Sequence, residues 1–257
     1  MSKNWIEYYS DFNVDFSSLK KHSSWNEFFD KNEVKDEISK LNRLFTNLLK
    51  KTNGNISIFP YPSNVFNAFL LTPLDKIKVV IIGQDPYFNS HIINGKKIPE
   101  AMGLSFSVDK NIQIPSSLQN IFKNGYKYKH FMKYPEHGNL EFWAYQGVFL
   151  LNTALTVQES CKLSHAKAWE KFTELVISYM NEKCSNIVFV LWGSYALSKK
   201  ELINENKHVF VISSHPSGLS CNKKLGVHPE FNNLDQFGKI NKYLKKMGKK
   251  EVIWQIV

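Results

Sequence analysis

The chain has 257 residues, 43% of them apolar, and a formal net charge of +10 with a pI of about 9.3. That length and apolar content suit one sizeable packed domain rather than a disordered chain, and no apolar run approaches the ~18 residues of a membrane-spanning helix. The basic balance favours a polyanionic partner, yet only Arg43 of the 33 basic residues is an arginine, so bidentate arginine reading of bases is excluded and phosphate contacts fall to lysines, hydroxyls and backbone amides.

In chain order, residues 1–32 are aromatic-rich but aperiodic and read as an extension of loops and short helices. Residues 33–51 place Val34, Ile38, Leu41, Phe45 and Leu48 at helical spacing. Val79–Gly83 is a short continuous apolar run, the pattern of a strand buried on both faces. Residues 88–102 read as an inserted loop, with Asn94-Gly95 between Ile-bearing flanks predicting a two-residue hairpin and Lys96 and Lys97 near its tip. "SSLQNIFKNGY" opens a helix that Ser116 or Ser117 is expected to cap. Val148–Asn152 is a second strand, 167–183 a helix, and Ile187–Trp192 a third strand. Ser194 is expected to cap a helix running to about Asn206, Val209–Ser213 is a fourth strand, and 231–247 closes the chain as a helix.

Short apolar strands alternating with helices predict an α/β fold, a three-layer αβα arrangement around a central four-stranded parallel twisted sheet. Ligands of such sheets bind beyond the carboxyl ends of the strands. Each strand here ends in polar, turn-forming residues: "GQDPY", "LLNTA", "WGS" and "SSHPSGLS". The topology therefore brings Asp85, Asn152, Ser194 and His215 towards one cleft. No G-x-S-x-G elbow, P-loop or dinucleotide fingerprint is present, and carboxylates and histidines lack metal-ligand spacing. Cys161, Cys184 and Cys221 are far apart and form no C-x-x-C pair, as expected of reduced intracellular thiols. The start, "MSKNWIEYYSDF", has no apolar signal core, and an intracellular protein is expected. Abundant Asn, Ile and Lys suggest an AT-rich coding genome. Taken singly, each residue has a plainer reading: Asp85 as a turn cap, His215 as a satisfied loop histidine, Asn152 as an Asx turn, Phe106 as a core residue in a short strand, and the serines as caps. An acyl hydrolase and a non-catalytic DNA-binding subunit both stay open on these grounds.

"GQDPY", "SSL" before a helix, "GVFLLNTALTV", "WGS" and "HPSGLS" resemble, in order and rough spacing, the motif set of family 1 uracil-DNA glycosylases. The resemblance runs from about Tyr61 to Trp254. It implies a monofunctional, metal-independent DNA repair enzyme without a cofactor. Such an enzyme flips deoxyuridine out of single- or double-stranded DNA and hydrolyses the bond between uracil and deoxyribose, leaving an abasic site. By the same resemblance Asp85 is the carboxylate that positions water and stabilises the sugar cation, and His215 hydrogen-bonds the departing uracil. Asn152 reads the base edge, Phe106 stacks on the base, Tyr87 blocks the 5-methyl of thymine, and Gln84 contributes backbone contacts. Ser117, Ser194 and Ser217 match hydroxyls that grip phosphates, and Leu219 matches the apolar wedge that enters the base stack. Uracil-containing DNA is the expected partner, with a proteinaceous inhibitor or replication proteins implied by resemblance; a monomer without membrane attachment, acting at sites of DNA, is expected.

The pattern is not matched throughout. Phe88 stands where the family usually has a histidine, so a water-network role for that side chain is lost. Only Pro115 is left of a proline-rich segment, Gly218 replaces a proline in the wedge loop and is expected to loosen it, and Asn222 replaces an aromatic residue. The stretch 88–102 is longer than usual, and the family offers no role for it.

Overall fold

A computed structural model describes residues 3–256. After α1 (Trp5–Tyr8), α2 (Asn26–Asp30) and α3 (Asn32–Lys51) come the short strand β1 (Ile58–Phe59) and α4 (Asn67–Leu71). The central strand β2 (Val79–Gly83) is followed by the hairpin β3 (Ser90–Ile93) and β4 (Lys96–Pro99), then by α5 (Ser116–Lys127) and α6 (Glu141–Tyr145). β5 (Val148–Asn152), β6 (Val157–Gln158), α7 (Ala166–Lys183), β7 (Val188–Trp192), α8 (Ser194–Ser198), β8 (Val209–Ser213) and α9 (Gln236–Lys246) complete the order.

The main sheet has the order β5-β2-β7-β8, and every pairing in it is parallel. The register sets its two faces. Phe149, Val80 and Phe189 stand opposite one another on adjacent strands and therefore share a face, because side chains alternate along a strand. On that face Trp25 stacks against Phe149 at 5.2 Å, and Phe69 meets the same ring edge-on. Trp192, of opposite parity, turns to the other face, where its Nε1–H donates to Gln236 of α9 at 2.9 Å. Helices thus cover both faces, giving the expected three-layer αβα fold.

The N-terminal segment is built into the first of these layers. Phe45 of α3 packs against Trp5 at 5.5 Å and Phe16 at 5.3 Å, and Phe16 meets Trp169 of α7 at 5.1 Å. Both indoles are anchored far along the chain: Trp5 Nε1–H donates to the Pro60 carbonyl and Trp25 Nε1–H to that of Thr72, each at 3.0 Å.

Several expected boundaries are corrected. Neither Ser116 nor Ser117 caps α5: Pro115 occupies the cap position in extended conformation, and Ser116 is the first helical residue. Ser194 likewise is not a cap but the first residue of α8, whose cap is Gly193 at φ 95°. That helix does not reach Asn206; it ends at Ser198 and a 3-10 turn finishes at Leu202. The last helix starts at Gln236 rather than 231, since Asp235 accepts from the Gly238 N–H and defines its start. Phe106 lies in no strand; it sits in a turn at φ 64°. The 88–102 hairpin forms as the Asn94-Gly95 pair predicts, with φ 50° and 72° at those two residues. Lys97, however, is no free tip cation: its ammonium reaches Glu159 at 2.6 Å and Ser57 at 3.2 Å, because β4 lies along the 57–61 segment.

Phe45→Ala should cost about 3–5 kcal/mol in a urea unfolding experiment, the range for emptying a buried aromatic site. A cost below about 1 kcal/mol would mean that the N-terminal segment is not part of this core.

Candidate active site

The carboxyl ends of the four parallel strands open into one cavity of about 500 Å³. It is lined by Gln84, Asp85 and Tyr87 after β2, by Asn152 at the end of β5, by Ser194 after β7, and by His215, Ser217 and Leu219 after β8. Phe106 and Ser117 complete it, so the site residues expected from sequence meet at one place.

The meeting depends on close backbone approach between β2 and β5. Gly83 pairs directly with Asn152, and a Cβ at position 83 would lie 2.2 Å from Asn152 Oδ1. Glycine is therefore a steric requirement there. The next turn is sewn to the same neighbour: the Gln84 carbonyl accepts from Ala154 N–H and from Thr153 Oγ1, each at 2.9 Å. Asp85 follows at once, so it lines the same cavity as Asn152. Asn152 itself is buried, and its side-chain amide finds no partner among the described residues. The residue lines the cavity, where its amide offers both a donor and an acceptor.

Asp85 Oδ2 accepts from the Leu163 N–H at 2.9 Å. Burial pushes its carboxyl above the ordinary value, and the Leu163 N–H and the charge of Lys162 oppose that push. His215 is the complementary case. Burial drives its imidazole down to about 4, with Lys162 acting in the same direction. Its Nδ1 accepts from the Ser217 N–H at 3.0 Å, which places the single proton of the neutral ring on Nε2. The site thus pairs an oriented carboxylate with a neutral imidazole that donates from Nε2.

Phe106 forms a wall of the cavity beside His215. Its ring lies 5.6 Å from that of Trp192 and 5.9 Å from that of His215. A positive φ at a bulky residue is uncommon, and here it is held from both sides. The Ser105 N–H donates to Leu150 at 3.0 Å, and the Tyr87 hydroxyl donates to the Phe106 carbonyl at 3.4 Å. At the mouth, Leu219 is 82% exposed. Its loop is braced in spite of Gly218: Ser220 and Cys221 N–H donate to the Ser217 carbonyl, and Asn120 Nδ2 donates to that of Pro216 at 2.8 Å. An exposed leucine on a braced loop has no core to join, and it stands among the lining residues of the cavity.

Sequence reasoning missed Lys162, Tyr195 and Ser220 in the lining. Tyr195 follows the "WGS" motif and its hydroxyl is hydrogen-bonded to Thr153 Oγ1 at 2.9 Å, a position that proximity to the motif could have suggested. Lys162 stands in the 159–164 loop, which carries no signal of its own. Phe88 also lines the cavity and packs, half-buried, against Phe59, Ala101 and Val157. Among the described residues no group of His, Cys, Asp and Glu is placed to hold a metal, and no helix is long and apolar enough to cross a membrane.

Fold and cavity define an α/β domain with a cavity at the carboxyl edge of a parallel sheet, lined by one carboxylate, one neutral histidine and one buried amide. Comparison with known proteins makes the class specific. Residues 71–245 match the profile of the uracil-DNA glycosylase superfamily, and the chain belongs to that family. A probable uracil-DNA glycosylase of Acanthamoeba polyphaga mimivirus is 38% identical over 265 residues, covering 99% of this chain and 70% of that protein. The uracil-DNA glycosylase of Campylobacter jejuni is 39% identical over 245 residues, covering 95% of this chain and 98% of that one. The crystal structure of the mimivirus enzyme superposes with a TM-score of 0.92 over 100% of this chain and 95% of its own. A variant of that enzyme, similar to the same degree, was crystallised in complex with UGI.

In nitrogen-15 NMR of the imidazole, His215 should stay neutral with its proton on Nε2 from pH 7.5 down to about 5, as burial and the Ser217 N–H require. A midpoint near the ordinary 6.5 would overturn that electrostatic picture. The unfolded chain takes up this proton more readily than the native one, so the contribution of His215 to stability falls as pH drops from 6.5 towards 4.

Proposed function

We propose that this chain is a family 1 uracil-DNA glycosylase that hydrolyses the N-glycosidic bond of deoxyuridine in DNA, releasing uracil and leaving an abasic site. The observation that carries the proposal is the convergence of Asp85, Asn152, Phe106 and His215 on one cavity, with the protonation pattern that this reaction needs.

In this reading the flipped base stacks on Phe106, and the Asn152 amide pairs with the uracil 4-carbonyl and ring N–H. Cytosine presents the opposite donor pattern and leaves the buried amide unpaired, which is a strong basis for rejection. The Tyr87 ring closes the side where thymine carries its methyl group. As the bond lengthens, the sugar gains positive charge and the uracil negative charge. Asp85 lies where its carboxylate faces the sugar cation and orients the attacking water, an interaction that strengthens only in the transition state. His215, neutral and donating from Nε2, hydrogen-bonds the uracil oxygen on which negative charge collects. Ser117, Ser194 and Ser217 grip the flanking phosphates, and Leu219 fills the gap left in the stack. The resident chemistry is complete in these side chains, and residues 1–257 act as a single glycosylase domain. A protein inhibitor that covers this mouth is a reasonable partner, given that a relative was crystallised with UGI.

The decisive experiment incubates the protein with a uracil-containing oligonucleotide and detects abasic sites by alkaline cleavage. Wild type should convert the substrate, and Asp85→Asn should lose on the order of 100-fold or more in single-turnover rate while still binding DNA. Turnover of Asp85→Asn at the wild-type rate would reject the mechanism. Leu219→Ala should slow excision from duplex more than from single-stranded DNA, because extrusion from a duplex costs a few kcal/mol that the wedge helps offset. Equal losses on the two substrates would remove the wedge role.

A further inference from the structure

The cavity described above is lined by hydroxyls, amides and rings, together with one carboxylate, and Lys162 is the lysine among its lining residues. Lys162 is exposed, and it makes no ion pair or hydrogen bond among the described residues. This sets it apart from Lys97 nearby, whose ammonium is taken up by Glu159.

Its backbone is not free. The loop that carries it is pinned on both sides. Glu159 N–H donates to the Ser57 carbonyl and Ser160 N–H to that of Phe88, each at 2.9 Å. Gln158 N–H donates to Ser164 Oγ at 2.7 Å, and Leu163 N–H donates to Asp85 at 2.9 Å. Ser160 and Leu163 adopt φ of 59° and 63°, so the loop is bent tightly around Lys162. The backbone that carries this unpaired ammonium is thereby fixed at the lip of the site, one residue from the amide that orients Asp85. Its charge reaches both Asp85 and His215.

A cation at the lip of such a site attracts an anion that the ligand brings with it. The anion that accompanies an extruded nucleotide is its own phosphodiester. We propose that Lys162 forms an ion pair with a backbone phosphate flanking the extruded nucleotide, supplying the charge neutralisation that the serine hydroxyls around the cavity cannot. Neutral donors such as Ser117, Ser194 and Ser217 position a phosphate but release no counterion, so salt-dependent affinity at this lip rests on Lys162. The inference rests on the reading of the cavity as a site for deoxyuridine in DNA.

The test uses duplex DNA carrying one 2′-fluoro-deoxyuridine, whose glycosidic bond resists cleavage because the fluorine disfavours the sugar cation. Affinity is measured across a salt series for wild type, Lys162→Ala and Lys162→Arg. Lys162→Ala should reduce the slope of log K against log salt by about 0.9 and weaken binding roughly 5–10-fold near 0.1 M salt, as loss of one phosphate contact requires. Lys162→Arg should restore the slope. Affinity for free uracil, which carries no phosphate, should be the same in all three proteins. An unchanged slope in Lys162→Ala would overturn the proposal and leave Lys162 a solvated surface charge. A fall in free-uracil affinity alongside the slope would also overturn it, since Lys162 would then act by shaping the loop around Asp85. Failure of wild type to release uracil from ordinary substrate would instead strike the proposed function itself, a result independent of the Lys162 slope.

Discussion

The site depends on the approach of Gly83 to Asn152 across two parallel strands. The Asn152 amide lies over Gly83 and, with Ser105, takes the space a side chain at position 83 would need, and the next residues are tied to the same neighbour through the Gln84 carbonyl. Asn152 is therefore placed by the central sheet itself, and Asp85 by the turn tied to it together with the Leu163 N–H of the 159–164 loop. Preorganisation of this kind is the general source of electrostatic catalysis, because the groups need not move as charge develops.

Burial then gives the two titratable groups their separate characters. The same desolvation that raises Asp85 lowers His215, since each loses hydration of its charged form. What distinguishes them is the hydrogen bonding. A backbone N–H reaches the Asp85 carboxylate and favours the anion, whereas another reaches His215 Nδ1 and favours the neutral ring. His165, a few residues beyond the Lys162 loop, is also driven down to about 4 by burial. It is bonded to Thr156 at 3.0 Å and packed edge-on against Phe45 at 4.9 Å. The aromatic layer formed with the N-terminal segment thus extends to the base of the loop that touches Asp85.

The hairpin has a place in the same assembly. Lys97 and Ser90 both bond Glu159, each at 2.6 Å, while the carbonyl of Phe88 accepts from Ser160. The 88–102 stretch is thereby fastened to the start of the 159–164 loop, and Phe88, where the family carries a polar residue, fills a small apolar cluster beneath it.

Much of the fold was legible in the sequence. Continuous apolar runs such as Val79–Gly83 and Val188–Trp192 are the mark of strands buried on both faces, and polar residues at their ends reveal a shared edge. Asp85, Asn152 and His215 were readable for that reason, and Asn94-Gly95 named its own turn because few other pairs tolerate two positive φ values. Helix starts were misread at Ser116 and Ser194, where neighbouring Pro115 and Gly193 took the cap position through their own backbone preferences. Tertiary structure alone decided that Phe106 takes a positive φ, that Lys97 is consumed by Glu159, and that Lys162 reaches the cavity. Each of these depends on contacts between segments distant in the chain, and local periodicity carries no record of such contacts.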